Sequence, residues 1–434
     1  MYPSIRFQRP ATERTATIPR QRRATRFSVV SGNVVALGFT SLFTDISSEM
    51  VNSVLPLYLA FQLGFTPFQL GGFDGAYQAV AVLTAFFGAV AADRSNRHKE
   101  IAGAGYGLSA LCKIGLLGAG SSPFLTTAVL YTDRVGKGFR TAPRDALISL
   151  SSKPEHLGVS FGLHRALDTV GALLGPLVAF ALLELTPNAY NSIFVVSFAF
   201  ALIGVSILSL FARNQRIARS NRPRVPLRAS VTQVLGLARE RPFLKLAIAG
   251  LGLGLFTVSD ALIYLTFQHK SNMSFHLFPL LSVGTAAAYL VLAVPVGHLA
   301  DRVGRRRVFL TGFLFLLGTY ALLFTTNPGP VVMVGMLALL GTYYAFTDGV
   351  LAAIGSSVLQ PEKRTTGLAA LNGAVILGRA TSSVLFGWVW GRYGTTSAVL
   401  LSLVGLAVML SFALALVPGG TLQRKAKSQA MAPS

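Results

Sequence analysis

Cysteine is almost absent from this chain: Cys112 is the only one, so neither an internal disulfide nor a cysteine-rich metal site can form. The six histidines are scattered and offer no ligand cluster, and neither metal nor cofactor is expected. Acid is scarce, with 16 Asp and Glu against 38 Lys and Arg, and charge of either sign makes up only 12% of the residues. A soluble domain carries about 25%. No glycine-rich phosphate loop is present either. GAGYG (Gly103 to Gly107) and GLGLG (Gly250 to Gly254) lie inside apolar runs, where close helix packing accounts for them. A grouped nucleophile, base and acid is missing, so the chain does not read as an enzyme.

What fills the space is apolar: 52% of 434 residues are hydrophobic, with a mean hydropathy of +0.57. Twelve stretches of spanning length fit, near 30–61, 67–92, 100–120, 123–147, 159–184, 188–212, 243–268, 276–300, 307–326, 330–353, 365–390 and 394–417. This is an all-α polytopic membrane protein. Its basic residues track one side of the membrane, in the first 26 residues, in Arg94, Arg97 and Lys99, in Arg302 to Arg307 and in the linker from Arg213 to Arg241. The opposite side offers little beyond Lys270 and Arg392. The positive-inside rule therefore expects both termini and the linker in the cytoplasm of a cell-membrane protein. The excess of +22 orients the chain and does not point to nucleic acid. An Arg-rich, acid-poor start also suits an organelle transit peptide, but the topology reading covers it with the other basic loops.

The polar linker divides six spans from six. It gives a basic tail at 1–29, a first half at 30–212, a linker at 213–242, a second half at 243–417 and a tail at 418–434. Local matches support a duplication: LFTDIS from Leu42 and LFTVSD from Leu255, TDRV from Thr132 and TDGV from Thr347, Asp93 and Asp301, Pro154-Glu155 and Pro361-Glu362. Their offsets, 213, 215, 208 and 207 residues, nearly agree.

The loop GHLADRVGRRR joins Gly297, Asp301, Arg302, Gly304 and Arg305: a helix ending in a carboxylate, a tight turn and a basic cluster. It resembles the repeated loop of the major facilitator superfamily. The copy after span 2 keeps Asp93, Arg94, Arg97 and Lys99, with Ala89 and Asn96 in place of its glycines. Arg134, Lys137 and Gly138 are similar to the family's R-x-x-Q-G pattern, with Lys for Gln. Gly171, Gly175 and Pro176 are similar to the start of a glycine-proline motif associated with antiporters, whose last glycines are here Ala179 and Phe180. The block TDRVGKGFRTAPRDALI looks like a prokaryotic subgroup of efflux type. The resemblance implies two six-helix halves, a gating role for the repeated loop, and a central cavity lined by spans 1, 4, 7 and 10.

Each of those four spans carries acid: Asp45 and Glu49, Asp133, Asp260, and Asp348. Charges at bilayer depth cost about 2.5–3.5 kcal/mol each on insertion scales and must pair, meet water or serve a path. Asp45 and Glu49 share a helix face, so either one is protonated or a cation stands nearby. Lys113, Arg134 and Lys137 are candidate cations. Asp133 with Lys137, and His164 or Arg165 with Asp168, are spaced to pair within their own helices. Phe256, Tyr264, Tyr289, Tyr343, Tyr344 and Phe346 are candidate aromatic walls. The expected function is secondary active transport by alternating access, with proton-coupled efflux of a small organic solute by antiport. The partners are a small-molecule substrate, protons and the lipid bilayer, and the chain is expected to act as a monomer. The coupling group is Asp45, Glu49 and Arg134. Proton-coupled uptake of an organic anion, held by Arg134, Lys137 and Lys113, is the alternative within transport; a non-transporting receptor or scaffold is the alternative outside it.

Overall fold

The structure, a computed structural model, describes residues 30–95, 97–214, 236–237, 240–271, 273–359 and 364–417; the side chains of 82, 86, 89–95, 154 and 364–366 fall outside that description. Among the described residues there is no strand. Helix α1 (Gly32–Leu57) runs into a π-turn at Tyr58–Gln62, just past Pro56, whose missing N–H interrupts the ladder. Then follow α2 (Pro67–Ser95), α3 (His98–Ala119), α4 (Pro123–Leu150), α5 (Leu157–Leu185) and α6 (Tyr190–Phe211). Starts are written locally: Ser31 and Ser122 cap the first turns of α1 and α4, and Pro123 follows its serine at the first helical position.

The second half departs from twelve unbroken rods. The seventh span is two helices, α7 (Arg241–Leu255) and α8 (Asp260–Lys270), and the tenth is α11 (Pro330–Thr347) and α12 (Val350–Val358). Between them lie α9 (Pro279–Val303) and α10 (Arg305–Leu322), and the chain ends in α13 (Arg364–Leu416), which turns sharply at Gly394 (φ 84°). Both breaks fall at an expected cavity acid, Asp260 and Asp348. The first is held by one side chain: the Val258 N–H donates to the Tyr320 hydroxyl (2.8 Å), which donates to the Phe256 carbonyl (2.9 Å). The second turns on Gly349 at φ 74°, a conformation that glycine adopts without strain. A serine before Asp260 and an Asp-Gly pair at 348–349 are the cap and turn signals that a hydropathy window averages away.

Among the described residues, eight helical stretches are long and apolar enough to cross a membrane, the last covering both arms of α13. Helices α2, α4 and α10 pack in the same bundle but fall outside that set. The twelve-span count therefore rests on them and on dividing α13 at Gly394.

Helices α1 to α6 pack on one another, chiefly α1 on α5 and α6, and α4 on α2 and α3; α7 packs on α13, and α11 on α9 and α10. The two groups meet along α2 with α13 and along α5 with α9. At the first seam glycines bring backbones together: a Cβ on Gly75 would lie 2.5 Å from the Ala380 carbonyl. Ser383 donates to Asp74 there (2.6 Å). At the second, His276 reaches Glu184 (3.3 Å) and Phe61 lies on Phe275 (4.7 Å between ring centres). Every described hydrogen bond, ion pair and ring contact between the groups lies toward the loops at 62–66 and 271–278. The halves are closed at that end. Toward the linker, side chains added at Gly158, Gly162 or Gly297 would meet nothing within 4 Å.

Candidate functional site

Helices α1 and α4 run antiparallel and present matching polar stripes. On α1 the stripe is Ser41, Asp45, Glu49 and Asn52; on α4 it is Arg144, Arg140, Lys137 and Arg134. Spacings of three and four keep each set on one face. The rungs are Ser41 with Arg144 (3.1 Å), Asp45 with Arg140 (3.7 Å), Glu49 with Lys137 (3.8 Å) and Asn52 with Arg134 (2.9 Å). The two ion pairs are longer than a hydrogen bond of 2.7–3.2 Å, so these carboxylates are close to their cations without being clamped by them.

Each end of the ladder is tied down. At the closed end Asn52 accepts from the Tyr77 hydroxyl (3.0 Å) as well as from Arg134 and donates to Glu49 (3.1 Å), and the Arg134 guanidinium lies 3.8 Å from the Tyr77 ring centre. At the open end His164 meets Ser41 (3.0 Å) and Asp168 (3.5 Å), and Arg144 meets Asp145 (2.9 Å) and Asp168 (3.9 Å). The structure thus brings Asp45, Glu49, Arg134, Lys137 and Asp168 into one network with residues that the sequence reading left without a role: Asn52, Tyr77, Arg140 and Arg144. Helical spacing from Glu49 and Lys137 was the available signal for Asn52, Arg140 and Arg144, whereas Tyr77 comes from α2 and had none.

One expected pairing comes out differently, and one resolves between its two bases. Asp133 does not pair with Lys137 inside α4; it points the other way, onto Lys113 of α3 (3.2 Å), with 2% and 8% of the two side chains exposed. Lys137 reaches across to Glu49 of α1 instead (3.8 Å), and Lys113 offers Asp133 a drier, closer partner. Arg165 is exposed and in no described ion pair, whereas His164 takes Asp168.

The glycine-proline motif sits beside the ladder. A Cβ on Gly171 would lie 2.6 Å from the Leu42 carbonyl and 3.1 Å from the Asp45 Cβ; one on Gly175 would lie 2.7 Å from the Ile46 carbonyl and 2.9 Å from the Glu49 Cβ. These two glycines let α5 seat α1 at the height of its carboxylates. Pro176 follows inside α5. Gly105 and Gly136 do the same for α3 on α4, and Gly254 and Gly378 for α7 on α13.

In the second half Asp260 accepts from the Tyr344 hydroxyl (2.6 Å), to which Arg379 donates (3.1 Å). Between the halves lies a cavity of about 350 Å³ whose wall includes Glu49, Asp260 and Asp348 with Tyr264, Tyr289 and Tyr344. Asn52, Pro56 and Ala261 part it from a second cavity of about 230 Å³ that Arg134 and Asp74 border. The candidate aromatics Phe256, Tyr343 and Phe346 are not on the larger cavity's wall; Tyr343 packs on Phe313 and Phe346 on Phe315.

In the loop after α9, Gly304 turns the chain at φ 107° and Asp301 pairs with Arg305 (3.2 Å), which also reaches the Ala353 carbonyl of α12 (3.4 Å). Arg302 is exposed, and Gly297 is packed against nothing. In the other copy Arg97 is exposed ahead of α3; the side chains of Asp93 and Arg94 lie outside the described residues.

The family model of the Major Facilitator Superfamily matches residues 37–286 and 257–433. An uncharacterized MFS-type transporter of Methanocaldococcus jannaschii is 28% identical over 395 residues, covering 87% of this chain and 95% of its own. Among solved structures, a mutant of the nucleoside transporter NupG superposes with a TM-score of 0.72 at 15% identity, over 88% of this chain and 98% of its own. A mutant of a POT peptide transporter in complex with sulfate gives 0.75 at 13%, over 89% and 94%.

Proposed function

This chain belongs to the major facilitator superfamily of membrane transporters, and from that premise we propose that it is a secondary active, proton-coupled antiporter exporting a small organic solute across the cell membrane, with both termini and the linker cytoplasmic. The observation that carries the reading is the ladder: two carboxylates of α1, Asp45 and Glu49, each within reach of a different cation of α4, Arg140 and Lys137. A buried carboxylate keeps its charge cheaply only while its cation is near; once the helices part, taking up a proton becomes the less costly state. Arg134, Arg140 and Arg144 cannot realistically give up protons and act as fixed charges. Coupling then requires α1 and α4 to part within the first half as the halves rock about the seams of α2 with α13 and α5 with α9, and that parting would link proton movement to access. Asp301, Arg305 and Gly304 serve that rocking, since they tie the turn after α9 to α12 and are on neither cavity's wall.

Proton-driven uptake of an organic anion is the second reading. The observation favouring it is Arg134, whose buried Nε makes no hydrogen bond and which borders the smaller cavity.

Purified protein in vesicles with an imposed pH gradient separates these readings. Antiport predicts that solute moves against the inward proton flow, and that Glu49→Gln and Asp45→Asn abolish gradient-driven movement while sparing solute exchange without a gradient. Full gradient-driven activity with an unchanged pH profile in both variants would make the ladder a packing device.

A further inference from the structure

The larger cavity has a sign. Three carboxylates reach its wall, from α1, from the start of α8 and from the break between α11 and α12, and no Lys or Arg side chain does. The nearby bases are spoken for: Lys137 stands on Glu49, and Arg379 is held through the Tyr344 hydroxyl rather than on Asp260. Arg165 is exposed on α5 and pairs with neither acid. Among the described residues Asp260 and Asp348 form no ion pair. The rest of the wall is aromatic and apolar, with Tyr264, Tyr289, Tyr344 and Phe278, and ring faces attract cations as well as apolar bodies.

We infer that the transported solute carries a positive charge: it is an organic amine or ammonium compound with a small apolar or aromatic body, its cationic head placed between Asp260 and Asp348 and its body against the tyrosines. The cavity of about 350 Å³ lies at the lower end of the range of about 300–1,000 Å³ that ligand sites occupy, which suits a compact solute. The two halves then divide the work. The first-half ladder keeps its carboxylates beside its own fixed cations, whereas in the second half Asp348 stands in no described ion pair and Asp260 meets Arg379 only through the Tyr344 hydroxyl, so that half holds charge an incoming cation can match. Asp348 is the exposed member and meets the solute first; Asp260, oriented by Tyr344, receives it deeper.

The inference rests on the transport reading, and its test keeps the two apart. The probes are three compounds with one body and different heads: 2-phenylethylamine as cation, 2-phenylethanol as neutral analogue and 3-phenylpropanoate as anion. Binding to the full chain in detergent is measured by titration calorimetry. The amine should bind at least tenfold more tightly than either other probe, and Asp348→Asn and Asp260→Asn should each weaken it about tenfold while leaving the alcohol unaffected. Anion binding tighter than amine binding, no amine binding, or amine binding indifferent to both variants would each overturn the inference. The comparison among probes needs no variant, so a misfolded Asp260→Asn protein does not rescue it. If vesicles move the anion on a pH gradient, the inference fails and the transport reading stands. If the amine binds as expected but no probe crosses under any gradient, the transport reading fails and the cation site stands.

Discussion

Removing the Lys113 ammonium separates packing charge from working charge. Lys113→Met keeps the length of the side chain and leaves Asp133 buried without its partner. The pair is 3.2 Å apart, with 2% and 8% of the side chains exposed. At an effective dielectric near 20, unit charges at that distance attract by about 5 kcal/mol. Measured losses on breaking one side of a buried pair are about 3–5 kcal/mol, because the other charge is stranded, whereas replacing both by apolar groups is often neutral. Taking about 2–4 °C per kcal/mol for a unit of roughly 150–250 residues, Lys113→Met should melt ~6–20 °C lower. The double variant Lys113→Met with Asp133→Leu should recover most of that loss. Thermal unfolding in detergent, followed by the helical circular-dichroism signal and checked by size-exclusion profile, gives the numbers. A drop under ~3 °C in the single variant, or a double variant that falls as far as the two singles combined, would refute the assignment of Asp133 to packing. The double variant should also keep the wild-type pH profile of transport; a shifted profile would return Asp133 to the coupling group.

Tyr320→Phe removes the hydroxyl that serves both Phe256 and Val258, leaving two buried backbone groups unmatched at about 1–3 kcal/mol each; faster hydrogen exchange at 256–260 with little change elsewhere in the second half is the expected result, and unchanged exchange there would show that the break holds itself. Gly175→Ala should reduce gradient-driven transport strongly, since the added methyl meets the α1 backbone beside Glu49, while Gly162→Ala, with open space around it, should be silent; equal activity in the two would detach the glycine motif from the ladder. Single cysteines placed at Arg222 and Ser428, both outside the described residues, should be labelled only from the cytoplasmic side, and labelling from outside intact cells would reverse the proposed topology.

What the sequence by itself determined is what hydropathy and local codes carry. Long apolar runs require helices in a bilayer, because every backbone N–H and C=O must be matched within its own segment. The Asp301–Arg305 turn, with Gly304 at its left-handed position, is legible for the same reason: its partners are neighbours in the chain. Even the acids of spans 1, 4, 7 and 10 stood out, since charge in an apolar run is rare. Their partners did not. Asp133 has Lys137 one turn away yet takes Lys113 from α3, and Asp45 and Glu49 take Arg140 and Lys137 from a helix some ninety residues on. Helical spacing fixes which side chains share a face; which face meets which helix is set by the glycine contacts at Gly105, Gly171 and Gly175, and these are properties of the packed bundle. The breaks at Phe256–Ser259 and Asp348–Gly349 were hidden in the same way. A hydropathy window sees only the average, whereas the loose backbone at the first break is tolerable because Tyr320, sixty residues later, satisfies it. The sign of the cavity came last of all, because it depends on which bases the tertiary structure has already drawn away.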